Sequence, residues 1–385
     1  MHKNKTILVA PLNWGLGHAT RCIPLIRLLL QEGFEVLLGS DGNALTLLRQ
    51  EFPELQSLTL PSYQIEYPKK AANFKWKMLL RSPKIIKAIN AEQKMVKNLV
   101  KSNTIHGVIS DNRFGLYHTA IPTVFITHQL QVLSGKTTKL TSALHRRYIK
   151  RYDACWVPDF KDLGNLSGKL GHPKNFAIPV IYIGPLSRLN TLEIPMVYDI
   201  LVLLSGPEPQ RTELEEILLH ELRIYKGKVL FVRGKIDAEK PVKAPDHIRI
   251  VDFMESDALE KAINASKLIL CRSGYTTIMD LAKLGKKAFF IPTPGQTEQE
   301  YLAKRLKKLR KVPFANQDEF RIKDLSQVEV YCGFDASVYA SVIDDLDQGQ
   351  LFSLFKGERK LRSHTKIAFY INLLVVGLYN MFHNR

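Results

Sequence analysis

The sequence repeats one local arrangement in its two halves: an apolar run, a glycine-containing turn and the start of a helix. The run Thr6–Leu12 leads into Gly15-Leu-Gly17-His18, and the run Lys267–Cys271 leads into Arg272-Ser-Gly274. Short apolar runs of this kind are typical of strands buried on both faces. A turn and helix start that follow such a strand point backbone N–H groups at an anion, usually a phosphate. Two such arrangements predict two α/β units that face a shared cleft.

Strand-like and helix-like segments alternate along most of the 385 residues. This alternation predicts parallel sheets covered by helices on both faces, and a chain of this length is expected to form two domains. Turn-forming residues interrupt the alternation between Gly184 and Pro195, where we place the linker. We therefore predict two Rossmann-like domains, at residues 1–188 and 189–360, followed by an apolar C-terminal helix at residues 361–385.

The chain is strongly basic, with 55 Lys and Arg against 37 Asp and Glu and a formal net charge of +18. This surplus predicts an anionic partner: nucleic acid, anionic lipid or a phosphorylated substrate. Ten basic residues and one acidic residue, Glu92, lie between Lys69 and Lys101, and a second basic cluster is Lys304–Lys311. A basic amphipathic helix favours an anionic membrane surface over nucleic acid, for which the segment has no recognition motif.

The segment Ile367–Phe382 consists of sixteen mostly apolar residues. As a helix it would extend about 24 Å, short of the hydrocarbon core of a bilayer. It either packs on the protein or lies in a membrane interface, and its length does not decide between these. No signal-peptide pattern is evident, and the four cysteines lack CxxC or metal-ligand spacing. We therefore expect a cytoplasmic protein with reduced thiols, either free or attached to the inner face of the cell membrane.

Polar residues follow several of the predicted strands, where parallel sheets bind ligands. His18 begins a helix, whose dipole lowers the pKa of a histidine, and a neutral imidazole can act as a base. Asp111 follows the predicted strand Gly107–Ser110. His128 follows the next predicted strand and is the weaker candidate of the two. The alternatives are that His18 is hydrogen-bonded to its own loop and that Asp111 caps the next helix.

The second half has a comparable set of loops. The segment Arg272–Thr277 contains backbone amides and hydroxyls that suit a diphosphate, and Asp280 lies on the same helical face as Thr277. A carboxylate there could accept hydrogen bonds from ribose hydroxyls. The segment Pro292–Gln299 follows the next strand, at the same edge of the sheet.

A dinucleotide site is an alternative for the first half. The loop Gly15-Leu-Gly17 has Thr20 where the G-x-G-x-x-G pattern has its third glycine, which argues against that site. Asp41, however, ends the second predicted strand, roughly where a ribose-binding acid would lie. A dehydrogenase therefore stays among the hypotheses.

These residues, in this order, resemble glycosyltransferase family 28, a GT-B family that includes the lipid II-forming GlcNAc transferase and the galactolipid synthases. The resemblance is most specific over Val251–Ala303. Asp280 replaces the usual glutamate, and Ser205–Arg211 is not the usual glycine-rich loop. The resemblance implies that His18 and Asp111 are catalytic and that Gly15 and Gly17 form a phosphate or acceptor loop. The implied donor-binding residues are Arg188, Ser205, Phe253, Met254, Arg272, Ser273, Gly274, Thr277, Asp280 and Gln299.

The resemblance further implies a hexosyltransferase that uses a nucleotide-sugar donor, most simply a UDP-sugar, and an acceptor hydroxyl, which is lipid-linked in such enzymes. The implied reaction is inverting and needs no metal or other cofactor. We interpret the motif Asp345-Leu-Asp347 as solvated surface, because it does not follow a strand. Two alternatives are a nucleotide-sugar epimerase on the same fold and a basic nucleic-acid-binding protein, although we expect no nucleic acid.

Overall fold

The computed structural model describes residues 5–63, 74–133, 138–162, 164–173, 175–235, 242–339 and 351–357. The predicted C-terminal helix at residues 361–385, the Asp345–Asp347 motif and the start of the basic segment at Lys69 lie outside these ranges. Within them, no helix is both long and apolar enough to cross a membrane.

The first sheet is built from parallel strands of the first half. These are β1 Thr6–Pro11, β2 Glu35–Ser40, β3 Ser57–Thr59, β4 Gly107–Asp111, β5 Thr123–Ile126, β6 Ala154–Val157 and β7 Val180–Tyr182, in the order β3-β2-β1-β4-β5-β6-β7. The helices between them are α1 Gly17–Gln31, α2 Gly42–Glu51, α3 Phe74–Lys101 and α4 Thr138–Ile149. The order reverses between β1 and β4, so a crevice opens at their carboxyl ends.

The second sheet repeats this plan. Its strands are β8 Tyr198–Leu203, β9 Val229–Val232, β10 Ile248–Val251, β11 Ser266–Cys271 and β12 Lys287–Phe290, parallel and in the order β10-β9-β8-β11-β12. The helices are α5 Gln210–Leu222, α6 Ser256–Asn264, α7 Tyr275–Lys283, α8 Thr297–Lys308 and the short α9 Ala336–Tyr339. The order reverses between β8 and β11, which places a second crevice after these two strands.

The central strand β1 is almost entirely apolar because helices cover both faces of its sheet. Ile7, Leu8, Val9 and Ala10 of β1 are all fully buried, as expected of a central strand in a parallel sheet. The side chains of Ile7 and Val9 belong to one core cluster, and those of Leu8 and Ala10 to another. Successive side chains of this strand therefore stabilise two different helix layers.

The end of the described chain returns to the first sheet. After the second sheet, helix α10 (Ser353–Lys356) buries Phe352 and Phe355 against Phe34 and Trp156. The Lys5 ammonium donates to the carbonyls of Phe355 and Lys356 at 2.9 and 3.0 Å, which satisfies the end of this short helix. A segment from the range that we predicted for the second domain thus packs on the first.

The predicted fold class, α/β with two parallel Rossmann-like sheets, is confirmed. The sequence pattern predicts that this helix begins at Pro83, since a proline near a helix start is the usual pattern. In the structure, helix α3 begins at Phe74, and Pro83 lies inside it. Strand β3 and helix α4 were not predicted from the sequence.

Candidate active site

The helix N-termini of the two halves meet at the carboxyl ends of their sheets. Thr276, in the first turn of α7, donates from Oγ1 to the carbonyl of Gly17 at the start of α1, over 3.1 Å. A Cβ at position 17 would lie 2.8 Å from that Oγ1, so the approach needs a glycine. The predicted loop residue Gly15, with φ of 75°, precedes this contact. Both helix dipoles therefore point their positive ends toward one region.

The two predicted catalytic residues contact each other there. The His18 Nδ1 lies 2.9 Å from Oδ1 of Asp111, and Asn112 donates to the same Oδ1 over 3.2 Å. Arg21, one helical turn after His18, forms a bidentate ion pair with Asp111 through Nε and Nη2. Asp111 is fully buried, whereas the His18 side chain is 14% exposed.

The environments of His18 and Asp111 fix their charge states in opposite ways. Burial raises the pKa of Asp111, but Arg21 and His18 outweigh it and hold that pKa well below its usual range. For His18, burial lowers the pKa more than the nearby Asp111 raises it. Asp111 is therefore ionised and His18 neutral at neutral pH. Of the two, His18 has the accessible lone pair that a base needs.

A second histidine connects this cluster to the second half. The His128 ring stacks on Tyr275 with centroids 4.1 Å apart and planes at 6°. Its Nε2 lies 2.7 Å from Oε1 of Glu298 in α8, and Gln129 donates to the other oxygen of that carboxylate. Burial raises the pKa of Glu298, but His128, His18 and Arg21 together outweigh it and the pKa is lowered.

Arg21 and Glu298 were not predicted as site residues. For Arg21 a signal existed, because position i+3 from His18 lies on the same helical face. For Glu298 the signal was its position at the start of α8, in the segment that follows β12. The sequence analysis selected its neighbour Gln299 in that segment instead.

The loops of the second sheet leave polar groups without partners. Ser205, two residues after the end of β8, is exposed, and a Cβ at Gly206 would lie 3.6 Å from the hydroxyl of Thr293. That hydroxyl and the Nε of Arg272 are buried and have no hydrogen-bond partner in the described part of the chain. Buried polar groups without partners are rare in folded proteins. These two groups lie where the sequence predicts the diphosphate of the donor. Thr293 was not among the predicted site residues.

Several predicted donor-binding side chains hold the loops together. The buried guanidinium of Arg272 donates to the carbonyls of Ile291, Pro292 and Gln210, and burial lowers its pKa to about 10. Ser273 donates from Oγ to the carbonyl of Gln299 over 2.8 Å. These bonds fix the loops after β11 and β12, so the backbone amides near Gly274 are held in place.

Other Arg272 and Gln299 contacts reinforce this arrangement. Nη2 of Arg272 also donates to Gln317 over 2.7 Å, and the Gln299 amide oxygen accepts from the backbone N–H of Thr293 at 2.8 Å. Thr277 lies partly buried in the first turn of α7, beside Gly274. The predicted contacts of these residues with a donor stay predictions.

Asp280 lies one helical turn after Thr277, between the second half and the linker. Ser187 donates to its Oδ1 over 2.6 Å, and Arg188 forms an ion pair with Glu51 of α2 at 3.2 Å. Burial raises the pKa of Asp280 to about 6, more than Ser187 and Arg188 lower it. Phe253 and Met254 are partly buried after β10, at the same edge of the sheet.

The dehydrogenase hypothesis for Asp41 is wrong. Asp41 is buried, and one of its oxygens accepts a hydrogen bond from Arg113 while the other accepts from Asn13 at 3.3 Å. Because both oxygens are engaged, Asp41 stabilises the first half and does not bind a ribose.

Known proteins share this architecture. Residues 211–330 match the glycosyltransferase family 28 C-terminal domain. An uncharacterized glycosyltransferase of Methanosarcina acetivorans is 23% identical over 312 residues, which cover 74% of this chain and 79% of the relative. A UDP-N-acetylglucosamine–N-acetylmuramyl-(pentapeptide) pyrophosphoryl-undecaprenol N-acetylglucosamine transferase of Exiguobacterium sibiricum is 25% identical over 183 residues, 45% of this chain and 48% of that protein.

Solved structures agree in fold. MurG of Acinetobacter baumannii superposes with a TM-score of 0.54 at 15% identity, over 92% of this chain and all of MurG. CalG4, the calicheamicin glycosyltransferase, superposes with a TM-score of 0.61 at 12% identity, over 92% of this chain and 99% of its own. The fold is therefore GT-B. With the match of residues 211–330 to the family 28 C-terminal domain and the sequence relatives, the chain is a glycosyltransferase.

Proposed function

We propose that this glycosyltransferase moves a hexose from a UDP-sugar to a hydroxyl of a lipid-linked acceptor, with inversion and without a metal ion. The observation that carries the proposal is the pairing of His18 with Asp111 beside the start of α7. It brings a neutral base from the first half next to the loops that the sequence assigns to the donor.

In this mechanism, His18 removes the proton of the acceptor hydroxyl. Asp111 accepts from Nδ1, which leaves the lone pair on Nε2 for the acceptor, and its negative charge stabilises the imidazolium that forms. The acceptor oxygen attacks the anomeric carbon from the face opposite the diphosphate. A single displacement of this kind inverts the configuration at that carbon.

On the donor side, negative charge develops on the departing diphosphate. The N-terminus of α7 offers backbone N–H groups and the positive end of its dipole, which stabilise such charge without rearrangement. The unpartnered Thr293 hydroxyl and Arg272 Nε are further donors at this edge. The described residues include no group of three or more His, Cys, Asp and Glu side chains suited to a metal ion, and metal independence is part of the proposal.

The lipid-linked acceptor is inferred from the surface of α3 and α4. Ile85 of α3 and Tyr148 of α4 pack around the same small core cluster, so the two helices are neighbours. Their exposed side includes Lys84, Lys87, Lys94, Lys139 and Arg147, with Ile86 49% and Leu144 56% exposed. We call this the α3–α4 surface. Cations interspersed with exposed apolar side chains favour an anionic membrane.

The second basic cluster, Lys304–Lys311, supports the membrane proposal less than its charge suggests. Lys307 lies over the ring of Phe314 at 5.1 Å, and Arg310 lies over that of Tyr331 at 5.6 Å. Helix α8 begins at the carboxyl edge of its sheet and ends at the opposite edge, away from the cleft. The α3–α4 surface therefore carries the membrane contact in this proposal.

A transfer assay tests the proposal. Full-length protein is incubated with UDP-GlcNAc, UDP-glucose or UDP-galactose and with polyprenyl-diphosphate-linked or glycerolipid acceptors in mixed micelles, with and without EDTA. The expected result is a glycolipid of inverted anomeric configuration, formed equally with EDTA and at a rate about 10²–10⁴-fold lower in His18→Ala. An epimerised nucleotide sugar as sole product, or full activity of His18→Ala, would reject the proposal.

A further inference from the structure

The side chain of Arg21 contacts three titratable side chains, which come from the ends of two different strands as well as from its own helix. Its side chain is 2% exposed, and its Nε and Nη2 form a fork on Asp111. Nη2 also lies 2.8 Å from His18 Nδ1, and both of these nitrogens donate to Oδ1 of Asp111. Nη1 lies 3.1 Å from His128 Nδ1. One guanidinium from α1 thus contacts the last residue of β4 and a residue that follows β5. Burying these donors is favourable because the carboxylate of Asp111 and Nδ1 of His128 accept from them.

The contact with His128 fixes the proton of that ring. A guanidinium only donates hydrogen bonds and does not lose its proton in proteins. The His128 Nδ1 must therefore accept, and the proton of the neutral ring lies on Nε2. That Nε2 is 2.7 Å from a carboxylate oxygen of Glu298 and donates to it. Arg21 consequently aligns His128 with α8 of the second half.

The contact with Asp111 sets the charge beside His18. A buried carboxylate next to a histidine favours the imidazolium form, whereas a nearby cation disfavours it. Around His18 the charged and titratable groups are Arg21 on its own helix, Asp111 after β4, His128 after β5 and Glu298 on α8. Without Arg21, Asp111 would face His18 as an uncompensated anion. The imidazole would then hold its proton to a higher pH and would accept one from the acceptor hydroxyl less readily.

We propose that Arg21 is a positioning residue of the active site, which keeps His18 unprotonated by compensating Asp111 and holds His128 toward Glu298. This proposal rests on the proposed role of His18 as the base. Arg21 itself does not touch the reacting atoms. It acts through the two histidines, and through His128 it connects the base to the half of the molecule that the sequence assigns to the donor.

Histidine NMR tests Arg21 without requiring transfer. Full-length protein labelled with ¹⁵N-histidine is titrated as wild type, Arg21→Gln and Arg21→Lys, with His18→Gln to assign the His18 signal. The titration midpoint of His18 should rise by about one pH unit or more in Arg21→Gln, the effect of removing a charge at hydrogen-bond distance. It should stay near the wild-type value in Arg21→Lys, which keeps the charge. Arg49→Gln, an exposed arginine of the same half, is the matched control.

Kinetic measurements separate the effect of Arg21 on the alignment of the two histidines from its effect on the charge beside His18. Because a lysine cannot form the fork, kcat for transfer should fall about tenfold or more in Arg21→Lys while the donor KM stays within twofold. UDP binding by each variant serves as the test of folding. If Arg21→Gln binds no UDP, Arg21→Lys decides alone, and an unchanged kcat there overturns the proposal.

An unchanged His18 midpoint in folded Arg21→Gln would likewise overturn it. The proposed function fails differently, through full transfer by His18→Ala. That result would leave the NMR measurement intact, so the two failures are distinguishable.

Discussion

Asp280 is the one carboxylate among the predicted donor-binding residues. It accepts a hydrogen bond from Ser187 and lies in α7, the helix that begins after the turn at Gly274. We predict that Asp280→Ala weakens UDP binding by about 1.5–3 kcal/mol, because a charge-assisted hydrogen bond to the ribose is lost. Calorimetry measures this, with Glu216→Ala on the exposed side of α5 as the control. Equal UDP affinity in wild type and Asp280→Ala would remove Asp280 from the site.

The same carboxylate predicts a pH dependence of stability. Its pKa is about 6 in the folded chain, raised chiefly by burial from an ordinary 3.8. Between pH 4 and 6 the folded state binds more protons than the unfolded state, so the free energy of unfolding contributed by this group falls as pH rises. Asp280→Asn should therefore be more stable than wild type at pH 7 by about 1–3 kcal/mol and close to it at pH 4. Urea unfolding without nucleotide, at both pH values, measures the difference. A variant less stable than wild type at pH 7 would contradict this account.

Single residues also show how much of the candidate site could be predicted from the sequence. His18 and Asp111 were predicted because each lies after a predicted strand, and strand ends are visible as the ends of apolar runs. Asp280 was predicted because it lies on the same helical face as Thr277. Arg21 and Glu298 were missed because their role depends on contacts between residues 90 or more positions apart. The support role of Arg272 was hidden for the same reason, since a glycine turn does not reveal which carbonyls surround it.

At the scale of elements, helix α3 is attached to the first half by its one acidic residue. Glu92 is fully buried and accepts from Arg113 at 2.6 Å, from Tyr63 at 2.8 Å and from the N–H of Gly115 at 3.0 Å. Its neighbours Lys94 and Lys97 are exposed. The buried acid therefore orients the helix so that its lysines form the α3–α4 surface.

Removing that carboxylate should destabilise the fold. We predict that Glu92→Ala lowers the free energy of unfolding by about 3–5 kcal/mol, because it leaves the buried Arg113 without one of its charged partners. Urea unfolding measures the change. Lys94→Ala, two residues away and exposed, should stay within about 0.5 kcal/mol of wild type. Similar stability of Glu92→Ala and Lys94→Ala would show that Glu92 does not anchor the helix.

Elements differ in how well local pattern predicts them. The sequence pattern predicts strands at residues 123–126, 154–157, 229–232 and 248–251, and β5, β6, β9 and β10 have these bounds. Short, mostly apolar runs between polar or turn-forming residues mark both ends of these strands. Strand β3 has three residues and helix α4 has basic residues around much of its circumference. Both are stabilised by what they pack on rather than by their own periodicity, so a local pattern does not reveal them.

At the scale of the whole molecule, the positive charge predicts reversible membrane binding. We predict that full-length protein floats with anionic liposomes, less so in high salt, and does not float with neutral ones. The Lys84→Glu/Lys87→Glu variant should bind anionic vesicles at least about tenfold more weakly, since each juxtamembrane cation contributes about 1 kcal/mol. Lys226→Glu/Lys228→Glu, exposed in the second half, is the charge-matched control. Equal loss in both variants would mean that net charge, rather than the α3–α4 surface, determines binding.

The return of helix α10 to the first sheet has a mechanical consequence. The chain passes between the two halves twice, once after β7 and again between α9 and α10. The halves are therefore joined at two places, and the chain after the second connection is held to the first sheet by Phe355, which lies beneath Gly107. Movement of one half relative to the other is thus restrained at two points rather than one.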